Sequence, residues 1–428
     1  MVASARALAR GIAGVLGVVT VLSSSAAHAD ATARVDGVAS DVPGFTFLTD
    51  PNLIDPVGLA SSPSSPTSAG SPAWLGDNGA GVATIYALSS TRQIVPLVVS
   101  VPSPGNPLTP SGAPTGAVFN IASATGDFAV SGVDRNGAAA TATSLFLFAT
   151  NNGTIAGWNP AINPAGFDQS KAGTYAITGA NVPGSNYTGL TIANNGVGNF
   201  LYAANFATGA VDVFDRTFTK LPAQPGAFTD PNLPKGFAPF NIQALNGNLF
   251  VTYARIDGGP SGFVDKFTTD GQLIARLVSR DPLSAPYGLA IAPASFGALA
   301  GALVVGNHGD GTVDFFDPTS GQLLGKLIDP AGGTWTIPGL WALRVGNGGV
   351  AGSANEILFS AGPNDGLDGL FGEITPVAPD TPFTPLNFPS RGGTVPEVSS
   401  LALLASATVL LLCLTYRGLR ASPKRASA

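Results

Sequence analysis

Leu201–Asp215 reads LYAANFATGAVDVFD, and Ala302–Asp317 repeats the phrase as ALVVGNHGDGTVDFFD. Each copy is a pair of short runs rich in β-branched and aromatic residues, hinged on a glycine-containing turn. Runs this short cannot make amphipathic helices, so the phrase is a strand, a tight turn and a second strand. Ahead of each copy stands a shorter apolar segment built around a glycine: YTGLTIA from Tyr187 and PYGLAIAP from Pro286.

The same order extends in both directions. Lead-in segments occur at PVGLA (from Pro56), PTGAVFN (from Pro114), PFNIQAL (from Pro239, with Asn241 in place of glycine) and IPGLWAL (from Ile337). The runs that follow them begin at Trp74, Leu145, Leu249 and Glu356. Successive units are roughly 50 to 70 residues apart, the spacing of a propeller blade with its loops. Each unit then reads as an inner strand, a second strand, a tight turn, a third strand and a variable outer strand. Such sheets have open edges unless they close radially, and six copies close a ring. The expected fold is an all-β six-bladed propeller over 30–374. Ring closure needs one sheet shared by both chain ends, and FTFLTDPNLID (Phe45–Asp55) is expected to complete the last sheet beside Leu358–Ile374. A β-sandwich adhesin is the competing all-β reading, and it would lack circular pseudo-symmetry.

Composition agrees. The 428 residues are 45% hydrophobic and 11% charged, with 55 Gly and 35 Pro. That is enough apolar material for a large core, with little Glu, Lys or Arg to favour helix and many turn formers.

The two ends read as targeting signals. Arg6 and Arg10 precede an apolar run from Gly11 to Leu22 and the A-x-A pattern Ala27, His28, Ala29, so 1–29 is read as a signal peptide removed by signal peptidase. A short N-terminal anchor is the alternative. After a Gly/Pro-rich linker over 375–394 come VPEVSS (Val395–Ser400), an apolar span at about 399–416, and a basic tail with Arg417, Arg420, Lys424 and Arg425. The charge asymmetry places that tail in the cytoplasm and the body outside. This tripartite end resembles the PEP-CTERM sorting signal of Gram-negative bacteria. Pro396 and Glu397 match its motif, and Val398 stands where a second proline is usual. The resemblance implies a membrane-held intermediate, processing by an exosortase and release to the cell surface or medium. A plain single-span anchor is the alternative.

Cys413 is the sole cysteine and lies in the apolar span, so the body has no disulfide, thiol nucleophile or Cys-ligated metal. Between the two signals remain 14 basic and 25 acidic side chains. An acidic body disfavours nucleic acid as a partner, because phosphate binding needs a basic face. Divalent cations and neutral sugars suit it better.

The phrases DPNLIDPVGLA, DNGAG, FATNNGTIAGWN, DPNLPKGFAPFNIQ, PYGLAIAPASFG, VGNHGDG and GLFGEI, spread over Asp50–Ile374, are similar to a group of exported bacterial proteins read as NHL-like six-bladed propellers, often carrying PEP-CTERM tails. That resemblance implies fold and export, and no activity.

Six-bladed propellers of the gluconolactonase and calcium-dependent phosphotriesterase group hold a divalent cation at the channel mouth, often with a ligand directly before the lead-in glycine. Here those positions are Val57, Thr115, Thr188, Phe240, Tyr287 and Pro338, and none supplies a carboxylate. Asp77, Asn78, Asn205, Asn307 and Asp310 follow second strands. They would gather on one rim if every sheet presents the same turn, although left-handed turn geometry and backbone capping explain them more simply. His308 sits in the turn GNHGDG without a G-x-S-x-G partner, which disfavours a catalytic triad. In GPNDGLDGLFG (Gly362–Gly372), Asp365 and Asp368 could wrap Ca²⁺, although a solvated turn is the simpler reading. Trp74, Trp158, Trp335 and Trp341 could form a sugar-stacking platform, although Trp158 and Trp341 lie in strand-like runs and are expected inside the packed sheets, while Trp335, after two glycines, is expected to be an exposed aromatic.

Taken together, the sequence points to an exported, non-catalytic surface or matrix-binding propeller with no predicted cofactor and exopolysaccharide as a fitting partner. The alternative is a metal-dependent, lactonase- or phosphoesterase-like hydrolase with an atypical site, for which Ca²⁺ is the fitting ion.

Overall fold

The computed structural model describes residues 29–388 apart from 90 and 169–173. The segment read as a signal peptide up to residue 28, the end of the segment read as a linker, Pro396, Glu397 and the apolar run at about 399–416 lie outside the described residues. Among those described, the helices are two short 3₁₀ turns, Ser123–Thr125 and Ala294–Leu299, and none is long and apolar enough to cross a membrane.

Six inner strands open six antiparallel strand sets, numbered sheets 1 to 6: Pro56–Ala60, Pro114–Phe119, Tyr187–Asn194, Phe237–Leu245, Pro286–Ile291 and Leu340–Val345; the fifth and sixth are joined where Ala31 and Thr32 pair parallel to Leu327 and Ile328. Each adjoins the next in chain order, and the sixth returns to the first. Apolar cores lie between consecutive sheets. Trp74, Phe146, Phe148 and Trp158 fill the space between sheets 1 and 2; Phe250, Val264, Leu289 and Phe316 do so between sheets 4 and 5. Six such clusters separate six pairs of sheets. Radial burial of both faces of every sheet explains why the central strands read as continuous apolar runs without alternation. The result is an all-β, propeller-like ring rather than the single inter-sheet core of a sandwich.

The lead-in glycines mark where inner strands approach most closely. A Cβ on Gly58 would lie 2.8 Å from the Ala117 nitrogen, and one on Gly116 would lie 2.7 Å from the Leu190 nitrogen. At this point each inner strand skips a residue in its pairing: Val57, Thr115, Thr188, Phe240 and Tyr287 in the first five sheets. In the sixth, the irregularity falls between Leu340 and Leu343. The position assigned to Pro338 therefore belongs to Trp341. Gly339 is a turn residue at φ +68, ahead of the strand, held against the Gly362 carbonyl.

Closure differs from the expected one. The last sheet is completed by Ala31–Ser40, antiparallel to Leu370–Pro376, in register from Ala33↔Pro376 to Ser40↔Leu370. Ala31, Ala33 and Val35 are buried while Arg34 bonds Asp36 at 2.6 Å on the other face. This is the period-two alternation of a half-buried strand. The stretch Phe45–Asp55 contributes only Leu48–Thr49, parallel to the end of that strand, and then turns on Asp50. Its carboxylate accepts the Asn52 N–H at 2.9 Å and the Tyr86 hydroxyl at 2.9 Å.

The segment read as a linker is partly built into the ring. Thr375 and Pro376 end a strand, and Phe383, Leu386 and Phe388 pack on the core between sheets 5 and 6. Trp335, expected to be exposed, lies beneath them. It is 7% exposed, packs edge-on against Phe383, and donates its indole N–H to the Ala33 carbonyl at 2.8 Å. The closing strand and the post-strand segment cover it, and neither can be inferred from the glycines before it.

Candidate functional site: the mouth of the ring

The loops that lead into the inner strands and the turns after the second strands lie on one face of the ring. They surround a cavity of about 170 Å³ lined by Asp55, Val57, Asn78, Thr115, Asn151, Asn186, Thr188, Phe240, Tyr287 and Trp341. All six skipped residues are in that lining. A residue omitted from ladder pairing is re-aimed by the local bend, and six of them at one level put six side chains around the axis.

Tyr287 is the floor. Its phenol crosses from sheet 5 toward sheets 2 and 3, where the oxygen lies 2.7 Å from the Thr188 carbonyl and 3.1 Å from the Thr115 carbonyl. It is 2% exposed, and burial pushes its hydroxyl well above the ordinary phenol range. The channel beside it narrows to a void of about 20 Å³, room for about one water. The mouth is thus a pocket and not the end of a bore.

One wall is aromatic. Trp341 stands edge-on to Tyr287 at 4.9 Å between ring centroids, and Phe240 meets Tyr287 at 5.3 Å and Trp341 at 5.9 Å. His308 stacks on Trp341 at 3.7 Å with the planes 20° apart. Its Nδ1 lies 3.2 Å from the Leu340 carbonyl, which accepts only, so the neutral ring donates from Nδ1. Burial lowers its pKa to about 4. His308 therefore acts as a neutral backing for Trp341.

The other wall is polar. Asp55 Oδ1 accepts the Trp341 indole N–H at 2.8 Å, and burial raises the Asp55 pKa to about 6. The turn Gly362–Gly366 leaves room for this carboxylate, since a Cβ on Gly362 would sit 2.1 Å from Asp55 Oδ1. Asn78 spends its amide N–H on the Ala113 carbonyl at 3.1 Å. Asn186 Oδ1 is buried and accepts no hydrogen bond.

The residues singled out in the sequence separate into two groups. Asn78 reaches the mouth. Asp77, Asn205 and Asn307 are 0% exposed and lie inside their sheets. Asn205 donates to Asp212 and Ser185, both at 2.9 Å, and accepts the Asn186 backbone N–H at 3.2 Å. Asn307 repeats this with Asp314 at 2.8 Å and the Ser284 N–H at 3.1 Å. These are clamps tying a lead-in loop to the third strand. Asp77 occupies the same strand end beside Thr84, and burial raises its pKa well above the carboxylate range. Asp310 is exposed and holds its own turn through Thr312 at 3.0 Å. Asp365 is exposed, while Asp368 is 1% exposed and bonded to Asn364; the Asp368 carbonyl receives the Asp55 N–H at 3.3 Å. That turn serves to seat Asp55. Among the described residues, no three His, Cys, Asp or Glu side chains are grouped to hold a metal.

No family model matches the chain. It is 30% identical over 357 residues to the uncharacterized protein R648 of Acanthamoeba polyphaga mimivirus, a match covering 80% of each chain. The chain belongs to this family. A second member, the uncharacterized protein L690 of the same virus, is 28% identical over 362 residues, covering 81% of this chain and 87% of L690. Among solved structures, an alpha-L-arabinanase of Penicillium chrysogenum complexed with arabinobiose aligns at TM-score 0.47 and 12% identity over 81% of this chain and 98% of that one. The soluble aldose sugar dehydrogenase of Escherichia coli aligns at TM-score 0.46 and 13% identity over 81% and 100%.

In this member of the mimivirus-related family, the mouth residues that the sequence reading did not single out are Asp55, Asn151 and Asn186, and Trp341, expected inside a packed sheet, lines the mouth instead. A positional signal existed. Asp55 and Asn186 stand three residues ahead of Gly58 and Gly189, and Asn78, Asn151 and His308 each follow the last residue of a second strand. The positions one residue before the glycines, where a metal ligand is expected, hold instead the floor residue Tyr287, the wall residue Phe240 and the lining residues Val57, Thr115 and Thr188.

Proposed function

We propose that this protein is an NHL-like six-bladed propeller exported by a signal peptide over 1–29 and sorted through Pro396 and Glu397, with a transmembrane segment at about 399–416. In this reading it works at the cell surface or in the extracellular matrix as a non-catalytic binding or structural component. The observation that carries the binding role is the mouth. It is a preformed concave pocket with an aromatic wall, three amides and two threonines, and its lining holds one carboxyl group, Asp55. General acid–base hydrolysis without a metal uses two carboxyls or an activated nucleophile around the reacting bond. Aromatic and amide linings are what recognition sites use.

Two experiments test this. Fractionation of cells expressing the full chain and a Pro396→Ala, Glu397→Ala variant should show the wild type leaving the membrane fraction and the variant retained; identical partitioning overturns the sorting proposal. Incubation of the full chain with lactone, phosphoester and glycoside substrates should leave them unchanged; turnover that disappears in Asp55→Asn overturns the non-catalytic reading in favour of the hydrolase.

A further inference from the structure

The composition of the mouth points further, to what it binds; this step rests on the mouth being a ligand site. We propose that the pocket takes a single ring of a neutral saccharide, seated with its hydroxyls on Asn186, Asn151 and Asp55 and its apolar edge against Phe240 and Trp341.

Size comes first. A volume of about 170 Å³ is close to that of an engineered cavity that admits one benzene ring. Tyr287 stops the ligand from going deeper, because its hydroxyl already ties sheet 5 to Thr115 and Thr188 across the axis. A longer ligand would present one terminal ring and leave the rest in solvent.

Hydrogen-bond character comes second. Asn186 Oδ1 is buried with nothing donating to it, and a buried acceptor left unmade costs about 1–3 kcal/mol. Its backbone is fixed by Asn205, itself fully buried, so the side chain is presented at a set place. Asp55 has one oxygen engaged by Trp341 and lines the pocket. Both groups call for a ligand that donates. Asn151, in the same lining, brings amide donors as well as an acceptor. A ligand that both donates and accepts at several points is a polyol. An ammonium ion donates only, and a phosphate or carboxylate accepts only and would face Asp55.

Polarity comes third. Phe240, Tyr287 and Trp341 come from sheets 4, 5 and 6, whereas Asp55 and the three amides come from sheets 1 to 3 and the loops that lead into them. A pyranose or furanose has that division, C–H groups on one side and hydroxyls around the rim. Aromatic rings bury the C–H side at little entropic cost because they have few rotatable bonds.

The test is ligand-observed saturation-transfer NMR on the purified full chain with neutral monosaccharides and disaccharides, alongside tetramethylammonium and Ca²⁺ followed by thermal shift with EDTA reversal. The expected result is saturation transfer to at least one neutral sugar, strongest on ring C–H protons. It should fall tenfold or more in Asn186→Leu and in Trp341→Ala and persist in Asp310→Ala, which is exposed and outside the pocket. Because Asn186→Leu could disturb its loop, Asn151→Ala, at an exposed position, provides a second reading and should weaken binding several-fold with an unchanged melting temperature. Binding of tetramethylammonium or Ca²⁺ at the mouth without any sugar overturns the saccharide assignment and leaves the binding role standing. A sugar that binds and is then cleaved or oxidised upholds the ligand class and overturns the non-catalytic role. No binding by any probe overturns the saccharide assignment.

Discussion

The indole N–H of Trp341 reaches the Asp55 carboxylate at 2.8 Å, joining the first residues of sheet 6 to the loop that enters sheet 1. This bond ties the sixth sheet back to the first, and it does so inside the mouth, so the ligand site and the contact between first and last sheets share a pair of residues. Trp341→Phe is expected to keep the ring folded, to lower its stability by about 1–2 kcal/mol for the lost bond to a charged or partly charged acceptor, and to loosen the pocket wall. Urea denaturation alongside ligand titration measures both effects.

Protonation of Asp55 links this seam to pH. Burial raises Asp55 and Asp314 to about 6, and raises Asp265 and Glu373 to about 7. Each then binds a proton in the folded ring at a pH where the unfolded chain has released it. Stability from these four groups is therefore greatest below the unfolded carboxylate range and is lost as pH rises through 6 to 7. His308, lowered to about 4, acts oppositely, losing stability as pH falls below 6.5, but it is one group against four. The melting temperature should be higher at pH 5.5 than at pH 7.5, and Asp55→Asn should flatten part of that slope. A rise in melting temperature toward pH 7.5 would contradict this.

Tyr287 closes the channel with one hydroxyl. Tyr287→Phe removes the hydroxyl that reaches the Thr188 and Thr115 carbonyls, an expected cost of about 1–3 kcal/mol. Sugar binding should weaken only modestly, because the ring itself still forms the floor. Loss of folding or a tenfold loss of affinity would assign the hydroxyl a larger part.

The clamp at Asn205 predicts a coupled effect. Asn205→Ala strips partners from Ser185 and Asp212, frees the Asn186 backbone N–H and is expected to cost about 2–4 kcal/mol. Asp212 retains Lys220 at 2.8 Å and the Tyr187 hydroxyl at 2.9 Å, so the sheet should survive. Because Asn186 is positioned from behind by Asn205, affinity at the mouth should fall even though Asn205 does not line it. Circular dichroism melts with parallel titrations distinguish this from a purely structural role.

A chain beginning at Asp41 lacks the strand Ala31–Ser40, leaving Leu370–Pro376 paired only to Ile357–Ala361, with its outer edge open, and the Trp335 indole N–H without its acceptor. It is expected to lose cooperative thermal unfolding. An unchanged melting temperature would show that closure does not depend on this strand.

Much of the ring was legible in the sequence because its cause is local. Short apolar runs, glycines where strands converge, and N-x-G or D-G turns recur with each unit, and they specify sheets of one kind six times over. The closing strand was legible in principle as well, since ATARVD alternates with period two, but its position just after an expected cleavage site directed attention to the longer apolar stretch from Phe45. Trp335 and Trp341 exchanged expected environments for a reason no local pattern holds. Trp335 is covered by segments 302 residues before it and about fifty after it, whereas Trp341 is turned to the axis by an irregularity in strand pairing.

What the sequence determined by itself was the repeating unit, the all-β class, the acidic and thiol-free body and the expectation of terminal signals, all of which follow from residue type and spacing. What only the tertiary structure decided was the mouth. Asp55, Asn78, Asn151, Asn186, Phe240 and Trp341 come from sheets 1, 2, 3, 4 and 6 or the loops that lead into them, and closing the ring is what brings their side chains around one cavity. Their burial, the raised pKa of Asp55 and the unpaired Asn186 oxygen exist only once the six sheets have met.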